Sequence, residues 1–394
     1  MGKNEEIRQR DLAVLWHPTT QMKDHEWLQL LPVKSAQGVW LKDMEGNRYI
    51  DAISSWWVNL FGHANPHISA AVSEQARCLE HVILAGVTHE PAVRLAEKLV
   101  EITPSGLERV FFADSGASAV EISLKMSFHY WRNIGESGRT RFVTLSNSYH
   151  GDTLGALSVG DAGLFKAAYE PLLMEPLVAP SPDCFALPRD QWDEHARGKL
   201  DEMREIFAAH KGEISAVIIE PLVQCAGGMR MYPPSYLAGL RALCDEFRVH
   251  LIADEIAVGF GRTGSMFACE QGGIAPDFMC LSKGLTGGYL PMSAVMTSHE
   301  VYAAFYDEYT TLRGFLHSHS YTGNALACAA ALATMELFDQ RDVLADNRAL
   351  SAQMLEAVSP LRDHDHVGDI RQTGMILAME MVAQREPMVE YDWK

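Results

Sequence analysis

Short apolar runs alternate with helical stretches along most of the chain, and this alternation limits the possible folds more than any other feature. Each run is mostly apolar and bounded by polar residues or Gly, which predicts a buried strand. Strands that alternate with helices favour a mostly parallel sheet covered by helices on both faces, an α/β architecture. The runs are RVFFA from Arg109, RFVTL from Arg141, SAVII from Ser215, VHLIA from Val249, DFMCL from Asp277 and SAVMT from Ser293.

Three further stretches have a predictable local structure. Residues 38–52, GVWLKDMEGNRYIDA, alternate apolar and polar side chains on both sides of a turn sequence, which predicts a strand, a turn and a second strand. An Ala-rich stretch from Asn324 to Phe338 predicts a helix, and residues 171–190 carry five prolines and predict a long loop. At 394 residues, the chain exceeds the usual size of one domain, so we expect two compact units.

Two chemically complementary residues lie at the ends of two of these strands. Asp254 ends the run VHLIAD, and Lys283 follows the run DFMCLS. In open α/β sheets, ligands collect at the carboxyl ends of the strands, so one edge of the sheet could present a carboxylate and an amine to the same ligand. Pyridoxal 5′-phosphate needs such a pair, because a lysine binds it covalently and an aspartate keeps its ring nitrogen protonated. The alternative is that Asp254 caps a helix and Lys283 is a solvated loop residue.

The motifs around this pair resemble those of the class III, or ω-amino acid, aminotransferases. They are IIEP from Ile218, LIADEIAVGFGRTG from Leu251 and LSKGLTGGYLP from Leu281, and the resemblance covers nearly the whole chain. It implies a pyridoxal-phosphate-dependent transferase of fold type I, with Lys283 bound covalently to the cofactor and Asp254 paired with its ring nitrogen. It also implies that a large cofactor-binding domain spans residues 66–325, and that residues 1–65 and 326–394 form a smaller α+β domain.

The sequence FFADSGASAVEISLKM passes from a strand into a helix through a glycine. A helix N-terminus with a glycine beside it can bind an anion through backbone N–H groups, although such turns are also common helix starts. The resemblance assigns Gly116 and Ala117 to the cofactor phosphate, with Ala117 at a position where many family members have Ser. It also places Tyr149, in NSYHGD, against the cofactor ring or the substrate, whereas a buried core tyrosine is the alternative.

The segment HSHSYTGN, from His317, precedes the Ala-rich helix. The resemblance assigns His319 and Ser320 to the cofactor phosphate of a neighbouring subunit and Ser318 to the substrate. It therefore implies a homodimer with shared active sites. The two histidines could suggest a metal, but H-x-H without a third clustered ligand is weak evidence, and we expect no metal site.

The amino-terminal motifs indicate which substrate the chain uses. WHPTTQMKDHE from Trp16, SSWWVNLFGHANP from Ser54, THEPA from Thr88 and VQCAGGMRMYPPSYL from Val223 resemble the branch of the family that acts on 8-amino-7-oxononanoate in biotin biosynthesis. Trp56 is expected to line the substrate site, since an indole gives a flat and rigid wall for a long-chain keto acid.

The resemblance leaves the amino donor open between S-adenosylmethionine and lysine. Thr19 stands where many members have a tyrosine, and some relatives with similar QMKD and HSYTGN segments use lysine.

Another ω-aminotransferase acting on a diamine or an ω-amino acid is the alternative function, and an inactive cofactor-binding protein is a third. The roles of Glu220, at a strand end, and Arg262, in GFGRTG, also stay open. The family pattern continues past EYDWK through an arginine that grips a substrate carboxylate, so we expect a truncated chain.

Composition excludes some classes of partner. The formal net charge of −18 disfavours nucleic acid and anionic membranes, which bind through clustered Lys and Arg, and favours small-molecule substrates. The seven cysteines are scattered without a C-x-x-C pair, as expected for thiols in a reducing cytoplasm. The charged start, MGKNEEIRQR, lacks the apolar region of a signal peptide, and no apolar run is long enough to span a membrane. We therefore expect a cytoplasmic protein.

Overall fold

A computed structural model describes residues 1–392 and confirms the α/β architecture: its largest sheet has seven strands. All six apolar runs named above form strands of this sheet. The strands, in chain order, are β1 (Val33–Gln37), β2 (Trp40–Asp43), β3 (Arg48–Ile50), β4 (Arg109–Ala113), β5 (Arg141–Leu145), β6 (Leu177–Ala179), β7 (Ile214–Ile219), β8 (Val223–Gln224), β9 (Arg230–Met231), β10 (His250–Asp254), β11 (Phe278–Leu281), β12 (Ser293–Thr297), β13 (Val367–Thr373), β14 (Ile376–Gln384) and β15 (Val389–Glu390).

The large sheet is mostly parallel, as predicted. Its strand order is β4-β12-β11-β10-β7-β5-β6, and only β12 runs antiparallel to its neighbours. The carboxyl ends of the other six strands therefore lie at one edge. The prediction that residues 171–190 form only a loop is wrong for Leu177–Ala179, which pairs with β5. Three residues flanked by prolines are too few to show a strand period in the sequence.

Helices cover the sheet on both faces, so its central strands are buried throughout. Every residue of β7, β10 and β11 is buried, which explains why these strands have continuous apolar runs rather than an alternating pattern. The predicted Ala-rich helix is confirmed with slightly different ends. The α-helices are Lys3–Leu12, Pro66–Cys78, Glu90–Ile102, Gly116–Asn133, Leu154–Ser158, Gly163–Lys166, Trp192–Ala209, Pro234–Phe247, His299–Ala303, Ala325–Gln340 and Val343–Val358.

Two smaller antiparallel sheets lie near the ends of the chain. The predicted strand-turn-strand unit is confirmed as β2 and β3, to which β1 is added. Strands β13, β14 and β15 form the second sheet. The β13–β14 turn packs tightly on the large sheet's loops, because a Cβ on Gly374 would clash with the backbone of Thr263. The division into two domains at residues 66 and 325 stays a prediction. Among the described residues, no helix is long and apolar enough to cross a membrane.

Candidate active site

Asp254 and Lys283 lie at the ends of two neighbouring parallel strands. Asp254 is the last residue of β10 and pairs in register with Cys280 of β11. Lys283 follows two residues after the end of β11 and begins a 3-10 helix, Lys283–Thr286. The structure thus brings the two predicted residues to the same edge of the sheet, where ligands of open α/β sheets collect.

The carboxylate of Asp254 is buried and held in a fixed orientation. Its Oδ2 lies 2.8 Å from Nδ1 of His150, and its Oδ1 accepts the N–H of Ile256 at 3.1 Å. The side chains of His150 and Asp254 are 0% and 6% exposed. Because a carboxylate only accepts hydrogen bonds, Nδ1 of His150 carries the proton. The sequence placed His150 in a motif but gave no sign of this contact.

Glu220 follows β7 and adds a second buried carboxyl group to this edge. Its two oxygens accept the backbone N–H groups of Tyr149, at 3.1 Å, and Cys225, at 2.9 Å. Burial raises the pKa of Glu220 to about 7, against an opposing effect of His150. The residue is therefore more than a strand-end cap, because it fixes the backbone at Tyr149, one of the predicted site residues.

Lys283 has a strained backbone conformation. Its φ of 39° lies in the left-handed region, which is unfavourable for a residue with a side chain. The loop around it is tightly packed: Ser282 Oγ donates to the carbonyl of Met292 at 2.7 Å. A Cβ on Gly284 would lie 3.1 Å from Leu60 and 3.3 Å from Phe260. Such strain persists only where the surroundings enforce it, and it concentrates at functional sites.

The helix Gly116–Asn133 begins beside Asp254. Ser115 caps it, with Oγ accepting the N–H of Ser118, so the N–H groups of Gly116 and Ala117 have no partner within the helix. A Cβ on Gly116 would lie 3.1 Å from the side chain of Ile256, two residues after Asp254. The same turn is closed from the other side, since a Cβ on Gly151 would lie 2.6 Å from that of Ala117.

These features fit pyridoxal phosphate. The free N–H groups and the positive end of the helix dipole at Gly116 and Ala117 suit a phosphate. Asp254 suits a protonated ring nitrogen, because within the described residues His150 is its one ion-pair partner and no lysine or arginine neutralises it. Lys283 supplies an amine at the adjacent strand end.

Tyr149 and Trp56, the residues predicted to contact the substrate or the ring, differ in exposure. Tyr149 is partly buried; its hydroxyl donates to Oδ1 of Asp152 at 3.0 Å, and burial raises its pKa. Trp56 is 58% exposed and lies in a left-handed turn.

The segment His317–Ser320 contacts the start of the helix Gly116–Asn133 and the loop before Glu90. His319 Nδ1 lies 3.1 Å from Oδ2 of Asp114, and the carbonyl of Ser320 accepts from Nε2 of His81 at 2.7 Å. Ser318 Oγ donates to the carbonyl of His319. Within residues 1–392, no group of three His, Cys, Asp or Glu side chains is arranged to hold a metal.

Arg262 is half-buried, and no described carboxylate forms an ion pair with it. Its Nη2 donates to the carbonyls of Trp57 and Asn59, and burial lowers its pKa to about 10. A guanidinium without a counter-charge can bind an anionic ligand group.

Comparisons with known proteins agree with this geometry. The family model described as Aminotransferase class-III matches residues 21–391. The chain is 47% identical to adenosylmethionine-8-amino-7-oxononanoate aminotransferase of Helicobacter pylori, covering 98% of this chain and 87% of that protein. It is 44% identical to the protein of the same name from Geobacter sulfurreducens, covering 98% and 86%.

Two solved structures share the fold. The crystal structure of adenosylmethionine-8-amino-7-oxononanoate aminotransferase from Methanocaldococcus jannaschii has a TM-score of 0.93 and 38% identity, covering 99% of this chain and 87% of that one. The ω-transaminase from Pseudomonas jessenii, in complex with PMP, has a TM-score of 0.92 and 28% identity, covering 98% and 86%.

Proposed function

Because the chain belongs to the class III aminotransferases, which depend on pyridoxal phosphate, we propose that it aminates 8-amino-7-oxononanoate to 7,8-diaminononanoate. This reaction belongs to biotin biosynthesis, and S-adenosylmethionine is the proposed amino donor. One observation carries the substrate assignment: relatives bearing this enzyme's name are 37–47% identical over nearly the whole chain.

Four groups of this chain are proposed to hold the cofactor. The N–H groups of Gly116 and Ala117 donate to its phosphate, and Asp254 pairs with its ring nitrogen. Lys283 binds it covalently. Bound in this way, pyridoxal phosphate supplies the electron sink for amino transfer. Two contacts support these roles: the helix start is adjacent to Ile256, and His150 holds the carboxylate of Asp254 at 2.8 Å.

Lys283 is also proposed to move the proton. With the cofactor bound and a substrate amine in place of the lysine, Nζ of Lys283 would take the proton from the Cα of the donor and deliver it to C4′ of the cofactor, and it would move a proton from C4′ to the carbonyl carbon of the acceptor in the second half of the reaction. Gly284 is packed against Phe260 and Leu60, and this packing fixes the backbone next to Lys283. Tyr149 and Trp56 are proposed to flank the substrate, and the backbone contact from Glu220 fixes the position of Tyr149.

We also infer that two copies of the chain form a dimer with shared sites. The residues proposed to reach the partner's cofactor phosphate are His319 and Ser320, with Ser318 at the substrate. Large apolar side chains are exposed on either side of this segment, as expected of a surface that a second copy covers. They are Tyr306, Tyr309, Leu312, Leu316 and Tyr321.

The function is tested by offering the acceptor with each donor in turn. Purified protein is loaded with pyridoxal phosphate and incubated with 8-amino-7-oxononanoate and one of three donors: S-adenosylmethionine, lysine or β-alanine. The product is then identified by mass spectrometry. We expect 7,8-diaminononanoate with S-adenosylmethionine and none with the Lys283→Ala variant. Product with lysine alone would reassign the donor. Amino transfer from β-alanine without any 7,8-diaminononanoate would support a general ω-aminotransferase instead.

A further inference from the structure

Four consecutive residues, Ser54 to Trp57, adopt left-handed backbone conformations. Their φ values are 49°, 49°, 63° and 72°, and none of the four is glycine. Side chains make this region unfavourable, and residues other than glycine visit it singly rather than in runs. A one-turn left-handed segment therefore needs contacts outside itself to persist.

The carboxylate of Asp51 makes contacts that hold this turn. Oδ1 accepts the N–H of Ser55 at 2.9 Å, and Oδ2 accepts its hydroxyl at 2.7 Å. Oδ2 also lies 2.9 Å from Nε2 of His63, and the side chain of Asp51 is 7% exposed. His63 is in turn fixed by two backbone hydrogen bonds with Gly38, one in each direction. Contacts therefore hold the loop at both of its ends, Asp51 and His63.

The turn lies against the loop that carries Lys283. A Cβ on Gly288 would lie 3.2 Å from the backbone of Val58, directly after the turn. Leu60 packs on Gly284, and Arg262 donates to the carbonyl of Trp57. A change in the turn's backbone would therefore move the two indoles relative to the Lys283 loop.

We propose that Asp51 is a positioning residue: its carboxylate holds the left-handed turn of Ser54 to Trp57 and so fixes Trp56 as the rigid wall that selects a long-chain acceptor. This inference rests on the proposed function for the identity of the acceptor. The mechanical part concerns only the chain's own backbone and holds for any acceptor that contacts the wall.

The test compares wild type with Asp51→Ala, Asp51→Asn and the double variant Asp51→Ala/Ser54→Gly. Glycine adopts left-handed conformations without a Cβ penalty, so it should restore the turn without restoring the carboxylate. A matched control is Asp339→Asn, which removes a carboxylate that pairs with Lys98 at the surface. Two quantities are measured on the holoenzyme: amide hydrogen exchange of peptides covering residues 51–60, and KM and kcat for the acceptor.

In Asp51→Ala we expect faster exchange in these peptides and an acceptor KM raised about ten- to hundredfold, with kcat within about threefold of wild type. Asp51→Asn, which keeps one acceptor oxygen, should give values between those of wild type and Asp51→Ala. Adding Ser54→Gly should recover at least half of the lost exchange protection and lower KM again.

Unchanged exchange and KM in Asp51→Ala would overturn the proposal. So would a loss that Ser54→Gly fails to reverse. If Asp51→Ala does not fold, the same two measurements on Asp51→Asn and on Asp51→Asn/Ser54→Gly test the proposal in its place. A wild type that makes no 7,8-diaminononanoate would contradict the proposed function alone, since the exchange comparison needs no acceptor.

Discussion

Nδ1 of His150 lies 2.8 Å from Oδ2 of Asp254, and both side chains are shielded from solvent. The other ring nitrogen of His150, Nε2, is buried and has no hydrogen-bond partner among the described residues. The imidazole is therefore held chiefly by its contact with the carboxylate. We infer that His150 fixes the orientation in which Asp254 meets the cofactor ring.

This relationship predicts an effect on rate that depends on the replacement. His150→Leu leaves the carboxylate held only by the N–H of Ile256, so its orientation is less fixed and conversion of the cofactor by the donor should slow about ten- to hundredfold. His150→Asn keeps an N–H donor near the position of Nδ1 and should stay closer to wild type. Asp254→Asn, which removes the charge itself, should slow the same step by several orders of magnitude. Stopped-flow absorbance of the cofactor measures all three. A His150→Leu variant as fast as wild type would exclude the positioning role.

Glu255, the neighbour of Asp254, has a structural role that should make the stability of the folded protein depend on pH. Its oxygens accept the N–H groups of Ala268 at 2.9 Å and Cys269 at 2.8 Å, and burial raises its pKa from 4.5 to about 7. The folded protein thus keeps this proton up to about pH 7, whereas the unfolded chain releases it near pH 4.5. Its contribution to stability is fully present below pH 4.5 and is lost as the pH rises to about 7.

We therefore expect the free energy of unfolding of wild type, relative to Glu255→Gln, to fall by at most ~3 kcal/mol between pH 5 and pH 8. The difference between the two proteins is the informative quantity. Burial lowers the pKa of His250 to about 4, which makes wild type lose stability as the pH falls below 6.5 and acts equally in both proteins. Denaturant unfolding of the two apoproteins at four pH values measures the difference in their free energies of unfolding. A difference that does not change with pH would show that the raised pKa of Glu255 is not its cause.

The elements that the sequence predicted well are those fixed by local pattern. The central strands are buried on both faces, so VHLIA and DFMCL are apolar throughout and could be recognised, and Asp254 and Lys283 follow from their place at the strand ends. The contact of His150 with Asp254 joins residues 104 positions apart, and no local pattern reports it. The left-handed turn could not be predicted for another reason: Ser54 to Trp57 contains no glycine, the residue that usually indicates this conformation.

Arg262 yields a prediction because it is a half-buried cation without a described counter-charge. If it meets the acceptor's carboxylate, Arg262→Met should weaken acceptor binding about ten- to hundredfold, the value of one charge-assisted hydrogen bond. Arg262→Lys keeps the charge and should lose less. Cofactor affinity, titrated separately, should change little in either variant. An unchanged acceptor KM in Arg262→Met would show that the carboxylate is bound elsewhere.

Shared active sites predict a specific pattern of complementation between inactive variants. Ser320→Asp places a negative charge where the partner's cofactor phosphate is proposed to lie, so it should be inactive, as should Lys283→Ala. Heterodimers of the two contain one intact site. Random mixing should therefore restore about a quarter of the wild-type activity.

The matched control mixes Lys283→Ala with Asp254→Ala. Both lesions then belong to the same chain's site, so no heterodimer has an intact site and no activity should return. No recovery with Ser320→Asp would contradict the proposal that Ser320 acts in the partner's site. Recovery in the control would show that Lys283 and Asp254 of one chain act in different sites.

The measurement that tests the account most directly locates the covalent attachment of the cofactor. The holoenzyme is reduced with borohydride and digested, and the pyridoxyl group is mapped by mass spectrometry. We predict that it lies on Lys283, and that the Lys283→Ala protein is colourless and unlabelled. A pyridoxyl group on any other lysine, or one retained in Lys283→Ala, would show that the ends of β10 and β11 do not form the active site.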